Sequence, residues 1–209
     1  MWSARFREAG EDYLFGTAPS KFMGSHADLF AAGSTALSVA DGEGRNSVWL
    51  AEQGLAVTAL EISPVGLAKA RKLAAGRGVE VDFVQGDALA WDWPEAAFDI
   101  VLAVFIQFAS PAERPALFAG MQRAVKPGGL LFLHGYTPKQ LDYKTGGPPC
   151  AAHLYTQEQL AEAFAGWEIL ELREYEDDLE EGSAHKGRSA LIDLVARKQE
   201  PGFRSQDSV

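Results

Sequence analysis

Apolar residues in this chain alternate between two patterns. Short apolar runs at 34–40 (STALSVA), 56–62 (AVTALEI), 79–87 (VEVDFVQGD), 98–108 (FDIVLAVFIQF) and 130–136 (LLFLHGY) read as strands. Between the first two, Val48, Trp49, Leu50 and Ala51 fall at helical spacing within 45–53, and Gly54 closes the segment. Ser63-Pro64 predicts a second helix, with an N-cap followed by proline at the first helical position, and glycines end it. The run 98–108 is continuously apolar, as a central parallel strand buried on both faces should be. A third helix is expected near 112–125, before the turn Lys126-Pro127-Gly128-Gly129. Such alternation predicts an α/β fold with a doubly wound, parallel sheet. The last third differs. A short helix (TQEQLAEAFAG) precedes two strands, WEILELREYE and GRSALIDLVARK, with no helix between them. The acidic, glycine-containing turn joining them predicts a C-terminal antiparallel hairpin, giving seven strands, mostly parallel. We expect a single domain over 1–197, with 1–33 as an N-terminal cap and 198–209 as a flexible tail.

Composition narrows the chemistry. A chain of 209 residues with a formal charge of −10 is ill suited to nucleic acid, whose binding is dominated by Lys and Arg contacts to phosphates. No apolar run is long enough to span a bilayer, and MWSARFREAGEDY lacks the apolar core of a secretory signal. The cytoplasm is therefore the expected location, and a small molecule the expected partner; oligomeric state is not legible. One cysteine, Cys150, excludes an intramolecular disulfide and a multi-cysteine zinc site, and no metal is expected. The acidic run at 171–181 reads as solvated charge that discourages edge pairing.

The candidate chemistry begins at VADGEGRN (39–46), which follows the first strand. Gly42 and Gly44 would let backbone N–H groups approach a ligand at a helix N-terminus. Glu61 ends the second strand and could accept hydrogen bonds from both hydroxyls of a ribose. These two features fit either NAD or S-adenosylmethionine. A dinucleotide site needs a third glycine, and Arg45-Asn46-Ser47 supplies none. The third strand ends in Gln85-Gly86-Asp87-Ala88, where an aspartate before a small residue can read an adenine edge.

Taken together, these residues resemble the class I S-adenosylmethionine-dependent methyltransferases, whose Rossmann-like fold would cover roughly 34–197. YLFGTAPSKF, ADGEGRNSVWLAEQG and EGSAHKGRSALI are similar to the small bacterial methyltransferases related to the tellurite-resistance and thiopurine/thiol enzymes. The resemblance implies S-adenosyl-L-methionine as cofactor and S-adenosyl-L-homocysteine as product. It assigns Gly42 and Gly44 to the methionine portion, Glu61 to the ribose, Asp87 and Ala88 to the adenine, and Ile62 to the adenine face. The family's loop carries a glycine where this chain has Ala40 and an acid where it has Ser38. Alanine is tolerated there at negative φ, while Asp41 or backbone carbonyls at Val104–Phe105 would replace the acid.

For the acceptor, the resemblance brings forward Tyr13, Phe15 and Thr17 as pocket walls, on a segment expected to lie apart from the cofactor residues. Tyr143, in the long connection 137–155, and His134 and His185 are candidates for orienting or deprotonating the acceptor. The implied activity is methyl transfer to a small molecule, a thiol or a chalcogen oxyanion. The alternatives are cofactor binding without catalysis and an NAD(P)-dependent oxidoreductase.

Overall fold

A computed structural model describes residues 2–200; most of the expected tail, 201–209, lies outside the described residues. Strands β1 (Thr35–Val39), β2 (Ala56–Glu61), β3 (Asp82–Gln85), β4 (Phe98–Val104), β5 (Val125–Tyr136), β6 (Glu168–Glu181) and β7 (His185–Arg197) form one sheet. Their order is β3-β2-β1-β4-β5-β7-β6, parallel except for β7, which runs antiparallel to both neighbours. The helices are α1 (Trp2–Glu8), α2 (Lys21–Ser25), α3 (Arg45–Glu52), α4 (Pro64–Arg77), α5 (Arg114–Ala124), α6 (Gln140–Tyr143) and α7 (Gln157–Ala163).

Alternation along the central strands explains their unbroken hydrophobicity. Leu37, Val101, Ala103, Leu131 and Leu133 face one cluster with Leu117, Phe118, Met121, Leu160 and Phe164. Ala36, Ile100, Leu102 and Phe132 face the other, with Phe22, Met23, Phe30 and Leu50. Both faces are covered, so apolar residues follow one another along such a strand without alternating with polar ones. Local signals hold as well. Ser63 caps α4 by accepting from the Gly66 N–H at 3.1 Å, with Pro64 at the first helical position and Gly78 ending the helix at φ +69°.

Several boundaries move, for physical reasons. β4 stops at Val104 because Phe105 takes φ +56°, which no strand continues. β3 is only 82–85. The sequence 126–129 sits within β5 but leaves the register, which jumps from Phe98↔Val125 to Ile100↔Leu130. The hairpin is longer than expected. Residues 177–181 pair with β7 down to Glu181↔His185, because Lys21, Arg188 and Arg45 neutralise Asp177, Asp178 and Glu181 there.

Candidate active site

Strand order reverses between β1 and β4, so the crevice beyond their carboxyl ends is where an open α/β sheet holds its ligand. The loop leaving β1 is wound tightly there. Ala40, Gly42 and Gly44 all take positive φ, at +49°, +69° and +92°. The expectation of a negative φ at Ala40 is thus corrected: alanine stands in a left-handed conformation that glycine adopts without cost. The Asp41 N–H donates to Leu60 O at 3.0 Å, tying the loop to β2.

Two carboxylates anchor this loop. Asp41 accepts from the Ser38 hydroxyl at 2.7 Å and the Ser47 hydroxyl at 2.5 Å. Ser38, where the family carries an acid, therefore aims the acid three residues on. Glu61 is buried, accepting from the Gly42 N–H at 2.9 Å and the Ser63 N–H at 2.8 Å. Burial raises the pKa of both carboxyls against the pull of those hydrogen bonds. Beside Glu61, Ile62 is 51% exposed, the most exposed large hydrophobic residue described, and Leu89 is 38% exposed. Asp87 is exposed, its carboxylate accepting only from the Leu89 N–H at 3.0 Å, while Ala88 is buried. A buried carboxylate, an apolar face and a free acid at adjoining strand ends suit a ribose and a purine. The donor set fits an adenosyl cofactor.

The N-terminal segment covers this loop rather than standing apart from it. Phe6 is buried, its ring 3.7 Å from where a β-carbon on Gly42 would be and 3.1 Å from one on Gly66. Ser3 and Ser63 share a hydrogen bond at 2.8 Å, and the Leu14 N–H donates to Glu43 at 2.7 Å. Glu43 also pairs with Lys69, both side chains largely buried. Of the three expected wall residues, only Phe15 reaches the crevice, lying 4.6 Å from the His185 ring. Tyr13 turns to α4, where its hydroxyl donates to Lys69 O and its ring joins Val48 and Leu73. Thr17 is exposed to solvent.

The catalytic candidates separate likewise. Tyr143 donates to Glu176 at 2.6 Å, within the Lys139 and Arg188 ion pairs on the hairpin, and does not join the crevice. His134 is buried against Asp193 (Nδ1 to Oδ1, 2.6 Å), with Arg173 and Tyr175 completing the aspartate's partners. Its ring stacks on Phe22 at 5.0 Å and meets the Phe105 edge at 4.6 Å, so it supports Phe105 rather than facing the loop. His185 is the first residue of β7 rather than part of the turn. The hairpin carries it over the strand ends, against Phe105 at 4.1 Å and Phe15 at 4.6 Å.

Four features of the crevice were not anticipated. Phe105, expected to offer only a backbone carbonyl, lines it with its ring, at positive φ where β4 ends. Tyr136 lies against Phe105 at 4.7 Å. Arg45 and Glu181 form a buried ion pair at 2.7 Å. Gln107 extends the sheet with its side chain, donating to Tyr136 O and accepting from the Tyr136 N–H. Only the apolar strand preceding Gln107 hinted that a buried polar residue there would need such partners.

The fold defines an α/β protein with its site at the switch point of a seven-stranded sheet. Comparison with known proteins then shows what the chain resembles. Residues 36–129 match the family model described as a methyltransferase domain. The chain is 36% identical over 104 residues to demethylmenaquinone methyltransferase of Thermus thermophilus, covering 49% of this chain and 47% of that protein. It thus spans about half the length of that curated relative. Among solved structures, one described for the conversion of a disulfide bond into a thioacetal group during echinomycin biosynthesis superposes with a TM-score of 0.77 at 20% identity, covering 96% of this chain and 92% of the other. TehB from Haemophilus influenzae gives 0.68 at 19%, covering 85% and 61%. At those identities the structures speak to fold alone. Residues 36–129 thus resemble a methyltransferase domain, and the seven-stranded fold is shared with these solved structures.

Proposed function

We propose that this protein transfers a methyl group from S-adenosyl-L-methionine to a small-molecule acceptor, leaving S-adenosyl-L-homocysteine. The observation that carries this reading is the buried Glu61 carboxylate, fastened to the glycine loop through the Gly42 N–H, with half-exposed Ile62 beside it. The cofactor supplies an electrophilic methyl group on a sulfonium; this chain's residues bind, orient and exclude water. Asp41, aimed by Ser38 and Ser47, is the acid for the methionine ammonium, in place of the residue missing at 38. Gly42 and Gly44 line the methionine portion, and Val104 ends the strand facing it. Glu61 takes the ribose, Ile62 the adenine face, and Asp87 with Ala88 the adenine edge. Phe15 and Phe105 shield the transfer from water.

An uncharged acceptor fits these walls better than a chalcogen oxyanion. The Arg45 guanidinium, buried beside the crevice, is committed to Glu181 and to Phe15 O. The curated relatives named for demethylmenaquinone and for 2-methyl-6-phytyl-1,4-hydroquinone are also named for ring compounds rather than oxyanions. Calorimetric titration tests the reading. S-adenosylmethionine and S-adenosylhomocysteine should bind saturably and NAD should not. Saturable NAD binding with none for either adenosyl compound would return the chain to the oxidoreductase class. Product formation on an acceptor panel then separates an enzyme from a protein that only binds the cofactor.

A further inference from the structure

Two polar side-chain atoms at the carboxyl end of the sheet are buried without a hydrogen-bond partner: the Tyr136 hydroxyl and Nδ1 of His185. Tyr136 is 1% exposed and His185 7%. Buried polar atoms are nearly always paired, so two orphans in one cluster call for a ligand. The rings meet edge to face with centroids 5.8 Å apart. Gly146 packs against both: a β-carbon there would stand 2.9 Å from the Tyr136 hydroxyl and 3.6 Å from His185 Cδ2, so no side chain fits between them and the 146 backbone. Phe105 lies against both rings from its strained position at the end of β4, and Phe15 closes on His185 from the N-terminal segment. Strain at the end of β4 and orphaned polar atoms on β5 and β7 thus adjoin one another beside the switch point.

The charge state of the cluster restricts what it can hold. Burial, followed by the positive charges of Arg45, His134 and Arg5, holds the His185 pKa well below its ordinary value. Burial, with Glu181 nearby, pushes the Tyr136 hydroxyl upward. Both groups are neutral at pH 7, and between them they offer a donor and an acceptor with no charge for an anion. The same lowered basicity makes His185 a hydrogen-bond acceptor rather than a strong base.

We propose that Tyr136 and His185 form the polar end of the acceptor site and hold a neutral aromatic hydroxyl compound by paired hydrogen bonds to its hydroxyl, with Phe15 and Phe105 flanking its ring. This deepens the methyltransferase reading and rests on it. The test titrates 1-naphthol, naphthalene and 1-naphthalenethiol into the full chain, with and without S-adenosylhomocysteine. The parent should bind 1-naphthol at least about tenfold more tightly than naphthalene, and Tyr136→Phe should cut that preference to roughly threefold or less. Thermal stability of Tyr136→Phe should stay level or rise, because the deleted hydroxyl has no protein partner. His185→Gln provides a second variant and should also weaken 1-naphthol while sparing naphthalene. Equal binding of 1-naphthol and naphthalene by the parent, an unaltered preference in Tyr136→Phe, or tighter binding of the thiol would each overturn the assignment. Failure to bind S-adenosylhomocysteine sinks the methyltransferase reading instead, and the titration without it reads the hydroxyl preference independently.

Discussion

At the scale of single residues, the site holds two unfavourable choices side by side. Ala40 at φ +49° bears a left-handed penalty of about 1–2 kcal/mol, and glycine would remove it. Glycine also loosens the unfolded chain by roughly 0.4–1 kcal/mol, so Ala40→Gly should leave stability level or raise it by up to about 1.6 kcal/mol in denaturant titration. Glu61 presents the opposite case. Sequence alone treats it as a ribose ligand whose loss would spare the free protein. Because it also holds the Gly42 and Ser63 N–H groups, Glu61→Ala should cost roughly 1.5–3 kcal/mol of stability together with cofactor affinity. Its pH behaviour follows from a raised pKa, as does that of Asp41. The folded protein binds these protons more tightly than the unfolded chain, so acidification into the raised range lifts an ionisation cost on folding. The same protonation removes the negative charge that attracts a cationic ligand. Affinity for S-adenosylmethionine should therefore fall on acidification while the pH is still above the usual carboxylate range, as titrations across pH would register.

At the scale of elements, the N-terminal segment and the β6–β7 hairpin clasp each other above the strand ends. Gly182, at φ +74°, lies so close to the Leu14–Gly16 backbone that an added β-carbon would come within 2.5 Å of it. Gly182→Ala should cost roughly 1–3 kcal/mol and free 12–20 to faster amide exchange. Exchange confined to the hairpin turn would show that the two elements do not depend on each other. These dependencies also explain which parts of the site could be read in advance. The glycine loop, Glu61 and the Asp87-Ala88 pair sit at strand ends fixed by local periodicity, so their neighbourhood was legible. Tyr13 and Tyr143 were not, because their directions are set by distant partners, Lys69 for Tyr13 and Glu176 for Tyr143, and Thr17 points to solvent. Tyr136 read as one more apolar strand position, and only the hairpin folding back brings His185 to it.

At the scale of the whole molecule, the parallel, doubly wound sheet was legible in its alternation and the hairpin in its missing helix. The acidic stretch 177–181 misled because charge alone suggested solvent, whereas Arg45 reaches Glu181 from α3 and buries it. The clasp has a further consequence, in time rather than in space. Each βα unit pairs residues near in sequence, whereas the Ser183 hydroxyl and Leu14 O, which share a hydrogen bond, are 169 residues apart. Contacts of such long range are slow to form because the intervening chain must first be ordered. The crevice is therefore assembled last during folding. A chain emerging from the ribosome could complete its central strands yet leave Phe15 and Phe105 without His185 until the final hairpin had been synthesised.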